Sequence, residues 1–194
     1  YVLLVTPYYN KPNQKGLISH YEKIANKVDI KQILYNVPSR TACDLLPESV
    51  NILSNHPNII GIKEAVDDKL RVRELIKISK DNNFSIYSGD DPTFMSSMKL
   101  GFDGVISVAA NVIPNPISKI CKLIKMREYD HAYNLNDTYK RLYELLFIES
   151  NPIPVKWMMA KMGLIQDVIR LPLINLDETF HDEVLSELEK LKLL

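Results

Sequence analysis

Apolar positions along this chain follow two alternating patterns. Five short, nearly continuous apolar runs rich in β-branched residues recur at roughly 20- to 30-residue intervals: Tyr1–Thr6, Gln32–Val37, Ile59–Ile62, Phe84–Tyr87 and Gly104–Val108. Runs of this kind predict strands buried on both faces of a parallel sheet. Between them the apolar period lengthens. Leu17, Tyr21, Ile24 and Val28 line one side of a helix, and Pro47 opens another at its first position, followed by Val50 and Leu53. Leu70 to Lys80 and Pro92 to Leu100 continue the alternation, with Asp91 placed to cap the latter. From about residue 116 the strands stop. Ile117, Ile120, Cys121 and Ile124 form one helical stripe, and Ala132, Leu135, Tyr139, Leu142 and Leu146 form another. Further helices are predicted around residues 153–162 and 177–191.

Strand–helix repeats of this length imply right-handed βαβ units and a parallel sheet. Two architectures compete, an open five-stranded flavodoxin-like sheet and part of an eight-stranded (β/α)8 barrel. The chain opens on Tyr1-Val2-Leu3-Leu4-Val5, a strand already under way. A TIM barrel spends about 30 residues per unit, so the expectation is a barrel lacking its first three units, about 95 residues. The predicted division is 1–115 for the barrel strands and 116–194 for the last barrel helix plus a C-terminal helical subdomain.

Composition narrows the function. Lys plus Arg and Asp plus Glu are 24 each, so no net field attracts nucleic acid or an anionic membrane. No apolar run approaches the ~18 residues of a membrane span. Cys43 and Cys121 form no C-x-x-C motif, and free thiols in a reducing compartment, by default the cytoplasm, are the expectation.

In a barrel, chemistry gathers where strands end. Lys63 ends the run Ile59-Ile60-Gly61-Ile62. Burial there would favour its neutral amine, which can attack a ketone and form an iminium; an edge lysine snorkelling to solvent is the alternative. Glu64 is either a loop carboxylate or a partner for some cation. Tyr35 shares the parity of Ile33 and Val37 and is either a proton relay or core packing. Arg40, in the turn Pro38-Ser39-Arg40-Thr41, is either a carboxylate clamp or an idle loop cation. Tyr8 and Tyr9, bracketed by Pro7 and Pro12, suit a subunit interface or a substrate lid. Gly89 lets backbone approach a ligand closely. For Asp90 and Asp91 as metal ligands, the sequence holds no matching His or carboxylate cluster, so no metal is expected.

The segments TPYYNKP (Thr6–Pro12), YNVPSRT (Tyr35–Thr41), GIKEA (Gly61–Ala65), SGDD (Ser88–Asp91), GVISV with Ala110-Asn111, and NPIPVK (Asn151–Lys156) follow in unbroken order. Together they resemble the dihydrodipicolinate synthase family of pyruvate-dependent class I aldolases. The resemblance implies a (β/α)8 barrel with a C-terminal helical domain, homotetramers, and condensation of pyruvate with aspartate semialdehyde in the diaminopimelate route to lysine. It implies that Lys63 forms the pyruvate Schiff base, that Tyr35 relays protons, and that Tyr9 is a relay donated into a neighbouring subunit. Arg40 would hold the semialdehyde carboxylate, with Gly89, Asp90 and the backbone of Ile106 lining the pocket. Tyr8 matches an aromatic near the lysine-effector site of some members. No metal or organic cofactor is implied.

Two departures stand out. Ala42 occupies a position where the family has Gly, and the strand carrying the family's paired threonines is not among these residues. Alone, the 194 residues are expected to leave a barrel edge open and to be inactive. Lys63 and Tyr35 suit N-acetylneuraminate lyase or 2-keto-3-deoxy-sugar-acid aldolases equally, whereas Arg40 suits a short anionic semialdehyde. A non-catalytic binding protein on the same scaffold is the remaining alternative.

Overall fold

A computed structural model describes all 194 residues, Tyr1–Leu194. They form two compact units, Tyr1–Ile106 and Ser107–Leu194. The first carries five parallel strands: β1 (Val2–Val5), β2 (Gln32–Asn36), β3 (Ile59–Glu64), β4 (Ser85–Ser88) and β5 (Gly104–Val105). Helices α1 (Gln14–Lys27), α3 (Pro47–Leu53), α4 (Lys69–Asn82) and α5 (Phe94–Leu100) connect them, with a single turn, α2 (Pro38–Thr41), directly after β2.

Strand order decides between the two architectures. It is β1-β2-β3-β4-β5, each strand beside its successor in sequence. A doubly wound sheet reverses direction at a switch point, and none occurs here. Right-handed crossovers that always step the same way place every helix on one face of the sheet. Accordingly α1 packs on α3, α3 on α4 and α4 on α5. This is the winding of a (β/α) barrel.

The covered face is dry. Leu4, Leu34, Ile62 and Ile86 are register partners across four strands, and the last three are fully buried. Each such side chain contributes up to ~1.5–3 kcal/mol. The opposite face is more open, with Leu3 42% and Val5 39% exposed. The expectation of strands buried on both faces therefore fails for β1, because the helices supply only one cover.

Most helices fall where the apolar period put them, with three differences. Backbone at Val28 turns extended as the C-cap of α1, so Val28 is exposed and Ala25 is the last of three buried positions, after Leu17 and Tyr21. Leu70 is exposed at the start of α4. Helix α5 starts at Phe94 rather than Pro92, because the Asp90 carboxylate binds the amide (3.1 Å) and hydroxyl (2.6 Å) of Thr93 and holds 91–93 as a turn. Asp91 is therefore not the cap; it is buried.

The second unit is helical: α6 (Pro114–Lys125), α7 (Tyr129–Asp137), α8 (Lys140–Leu145), α9 (Ile153–Lys161) and α10 (His181–Lys190). The stripe read from Ala132 to Leu146 divides between α7 and α8, where the Tyr143 hydroxyl donates to the side-chain amide oxygen of the buried Asn136 at 2.9 Å. Trp157 stacks on His181 with ring centroids 4.6 Å apart. No helix is long and apolar enough to cross a membrane.

Candidate active site

Because parallel strands here pair in register, residues at equal depth form rows across the sheet. One row on the less covered face reads Val5, Tyr35, Lys63 and Tyr87. Alternation along each strand sends these side chains away from the face that buries Leu34, Ile62 and Ile86.

Lys63 is 9% exposed, and its ammonium nitrogen lies 4.4 Å from the centroid of the Tyr35 ring. A cation over a phenol face is attracted by the ring quadrupole. Its stem runs along Gly89. A Cβ at residue 89 would stand 2.9 Å from Cε of Lys63 and 3.2 Å from its Cγ, so a glycine there leaves the lysine its space. Sequence reasoning assigned Gly89 to close approach of a ligand; the group that approaches it in the structure is Lys63 itself.

Desolvation shifts Lys63 toward its neutral amine. Burial pushes the Lys63 pKa below the ordinary lysine value, the negative charge of Asp91 opposes this, and the Arg40 cation adds to it. Tyr35 moves the other way: burial raises its pKa and Arg40 partly restores it. Arg40, exposed on α2, thus acts on both groups. The site combines an amine eased toward its nucleophilic form, a phenol kept protonated, and a nearby guanidinium. Such a set can attack a carbonyl, move a proton and hold an anion.

The other expected residues are placed unevenly. Asp90 spends its carboxylate on Thr93, as described, while Ile106 donates its amide to the Ser88 carbonyl at 2.9 Å, extending the sheet past β4. Tyr8 and Tyr9 are 68% and 91% exposed, apart from the row, and Tyr9 has left-handed backbone, φ +66°. Cys43 and Cys121 are free thiols. No group of three or more His, Cys, Asp or Glu side chains could hold a metal ion. Two neighbours of Lys63 escaped the sequence reading. Tyr87 shares its row, a fact that parity in Phe84–Tyr87 could have shown. Asp91 is near enough to influence the amine, which no local signal gives away.

Residues 1–191 match the family model described as the Dihydrodipicolinate synthetase family. The chain belongs to that family. Among curated relatives, 4-hydroxy-tetrahydrodipicolinate synthase of Pseudomonas aeruginosa is 53% identical over 181 residues, covering 93% of this chain and 61% of the relative. The synthase of Coxiella burnetii is 49% identical over 188 residues, covering 97% and 64%. The chain thus spans about three-fifths of the length of the curated relatives it matches. The crystal structure of a chloride-inhibited dihydrodipicolinate synthase from Acinetobacter baumannii, complexed with pyruvate, superposes with a TM-score of 0.93 at 45% identity, covering 99% of this chain and 66% of that one. A monomeric dihydrodipicolinate synthase variant superposes at 0.95 with 36% identity, covering 100% and 65%.

Proposed function

We propose that the polypeptide carrying this chain is a 4-hydroxy-tetrahydrodipicolinate synthase that joins pyruvate, held as a Schiff base on Lys63, to aspartate semialdehyde. The observation that carries the reading is the buried ammonium of Lys63, 4.4 Å over the Tyr35 ring, in a chain about half identical to synthases of that name. The neutral amine adds to the C2 carbonyl of pyruvate, and loss of water leaves an imine. Protonated, this imine draws electrons from the methyl carbon, which gives up a proton and becomes a carbon nucleophile toward the aldehyde. Tyr35 is positioned to pass protons during these steps, and Arg40 holds the semialdehyde carboxylate. Gly89, Asp90 and the backbone at Ile106 line the pocket.

The imine itself is the electron sink, so this chemistry calls for no metal or organic cofactor. The exposed loop at Tyr8 and Tyr9 supports assembly into a homotetramer in which Tyr9 enters a neighbouring copy's site, with Tyr8 near a lysine-effector site. Two free thiols suit a cytoplasmic enzyme.

The test is chemical trapping. The complete polypeptide, incubated with pyruvate and borohydride, gains one reduced pyruvate on Lys63 by peptide mass mapping. An unmodified Lys63 overturns the reading and leaves a binding protein on this scaffold. Arg40 separates the synthase from aldolases that take uncharged polyols. Arg40→Ala raises KM for the semialdehyde by about 10- to 100-fold while pyruvate trapping persists. Equal losses toward both substrates would count against the clamp.

A further inference from the structure

On the other face of the strands, behind Lys63, four polar side chains close a cage that the chemistry above does not use. Asn36 ends β2, Glu64 ends β3, and the two are buried register partners. The Glu64 carboxylate accepts from Arg71 Nε at 2.7 Å, from the Val66 amide at 2.9 Å and from Asn36 Nδ2 at 3.1 Å. Arg71, in the first turn of α4, also pairs with Asp44 at 3.1 Å and donates to the Leu45 carbonyl. Asn36 closes the ring, donating to Asp44 at 2.8 Å and accepting from the Leu45 amide at 2.9 Å. Two strand ends, the loop after α2 and the start of α4 are thereby tied together.

Every partner of Glu64 is a donor, so the position demands a side chain that only accepts. Burial pushes the Glu64 pKa up, while the Arg71 charge and the hydrogen bonds from Arg71, Val66 and Asn36 pull it down. A buried ion pair of this kind is a weak way to gain stability, since desolvation offsets much of the attraction. What it holds in place is the better explanation. Glu64 follows Lys63 directly, and its own carbonyl accepts the Gly89 amide at 2.7 Å. Gly89 in turn flanks the Lys63 stem. A turn of the backbone at residue 64 therefore moves both the nucleophile and the surface it lies on.

We propose that Glu64, held by Arg71 and Asn36, which Asp44 anchors in turn, is a positioning residue that keeps the Lys63 amine over Tyr35 in its water-poor setting. This rests on the reading of Lys63 as the imine-forming residue. Around that amine stand Tyr35 from β2, Arg40 from α2, Tyr87 beside it on β4, and Asp91 after β4.

The experiment measures borohydride-trapped pyruvate on Lys63 of the complete polypeptide against pyruvate concentration and pH, with folded fraction followed by circular dichroism. Glu64→Gln places an amide against donors and slows labelling at saturating pyruvate by about 10- to 100-fold, with half-saturation little changed. The pH midpoint of labelling moves up toward that of an ordinary lysine as the amine drifts into water. Asp44→Asn, at a partly exposed position, gives a smaller change of the same kind and decides the matter should Glu64→Gln not fold. Labelling that falls only with the folded fraction, midpoint unmoved, overturns the positioning role. Wild-type protein that takes no label overturns the reading of Lys63 as well.

Discussion

An ammonium placed in a water-poor setting burdens the fold at one pH and frees it at another. With its pKa below the ordinary lysine value, Lys63 binds a proton more weakly in the folded chain than in the unfolded one. Between the folded pKa and ~10.4 the unfolded state carries more protons, so stability contributed at this position rises with pH. Lys63→Met keeps the bulk and removes the charge. It is expected to unfold at higher urea than wild type at neutral pH, an advantage that fades as pH approaches ~10.4. A constant difference across that range would contradict the burial argument. Ala42 offers a second residue-scale prediction. It caps α2 with φ +52°, where a side chain is crowded and glycine is not. Ala42→Gly is expected to stabilise the protein by about 0.5–1 kcal/mol, readable as a shift in urea midpoint, after allowing for the extra freedom glycine loses on folding. Lys63 and Tyr35 were legible in the sequence because each ends or nearly ends an apolar run. Glu64 was legible as a loop carboxylate or a partner for some cation; it ends β3 buried against Arg71, which comes from α4 and depends on packing that no local pattern encodes.

Elements were easier to read than their edges. The five strands appear within a residue or two of their apolar runs, apart from the last, which pairs only over Gly104–Val105. Helix α5 shows why edges are harder. Asp91-Pro92 has the form of a helix start, yet Asp90 binding Thr93 moves that start to Phe94. Of two adjacent carboxylates, Asp90 binds the turn and Asp91 is buried, a division that their order in sequence does not show. The two faces of the sheet should also respond differently to truncation. Leu34→Ala removes a fully buried side chain beneath the helices and is expected to cost about 2–5 kcal/mol in urea unfolding. Leu3→Ala, on the open face of this 194-residue chain, should cost well under that. Similar values would mean that both faces are equally packed.

At the scale of the molecule, winding in one direction separates a covered face from one that carries the candidate chemistry. Sequence showed the βα alternation, but only strand order excluded the doubly wound alternative. The loop with Tyr8 and Tyr9 belongs to this scale too. Two large aromatics in water, one with left-handed backbone, are costly unless a second surface receives them. In the assembly proposed above, Tyr9→Ala in the complete polypeptide is expected to weaken subunit association by about 30-fold or more, seen as a shift to smaller species in sedimentation. Unchanged sedimentation would argue that the loop serves something other than assembly.

The register between β2 and β3 has a consequence for how such a protein can be monitored. Neighbouring positions on a strand face opposite ways, so sliding β3 by one step against β2 would aim the Glu64 carboxylate at the phenol and strand the lysine among greasy helix contacts. Covalent capture of a keto acid would then vanish even though the protein stayed compact. On the role proposed for Lys63, adduct yield is thus a single-residue gauge of correct strand alignment, which measures of helix or sheet content are not.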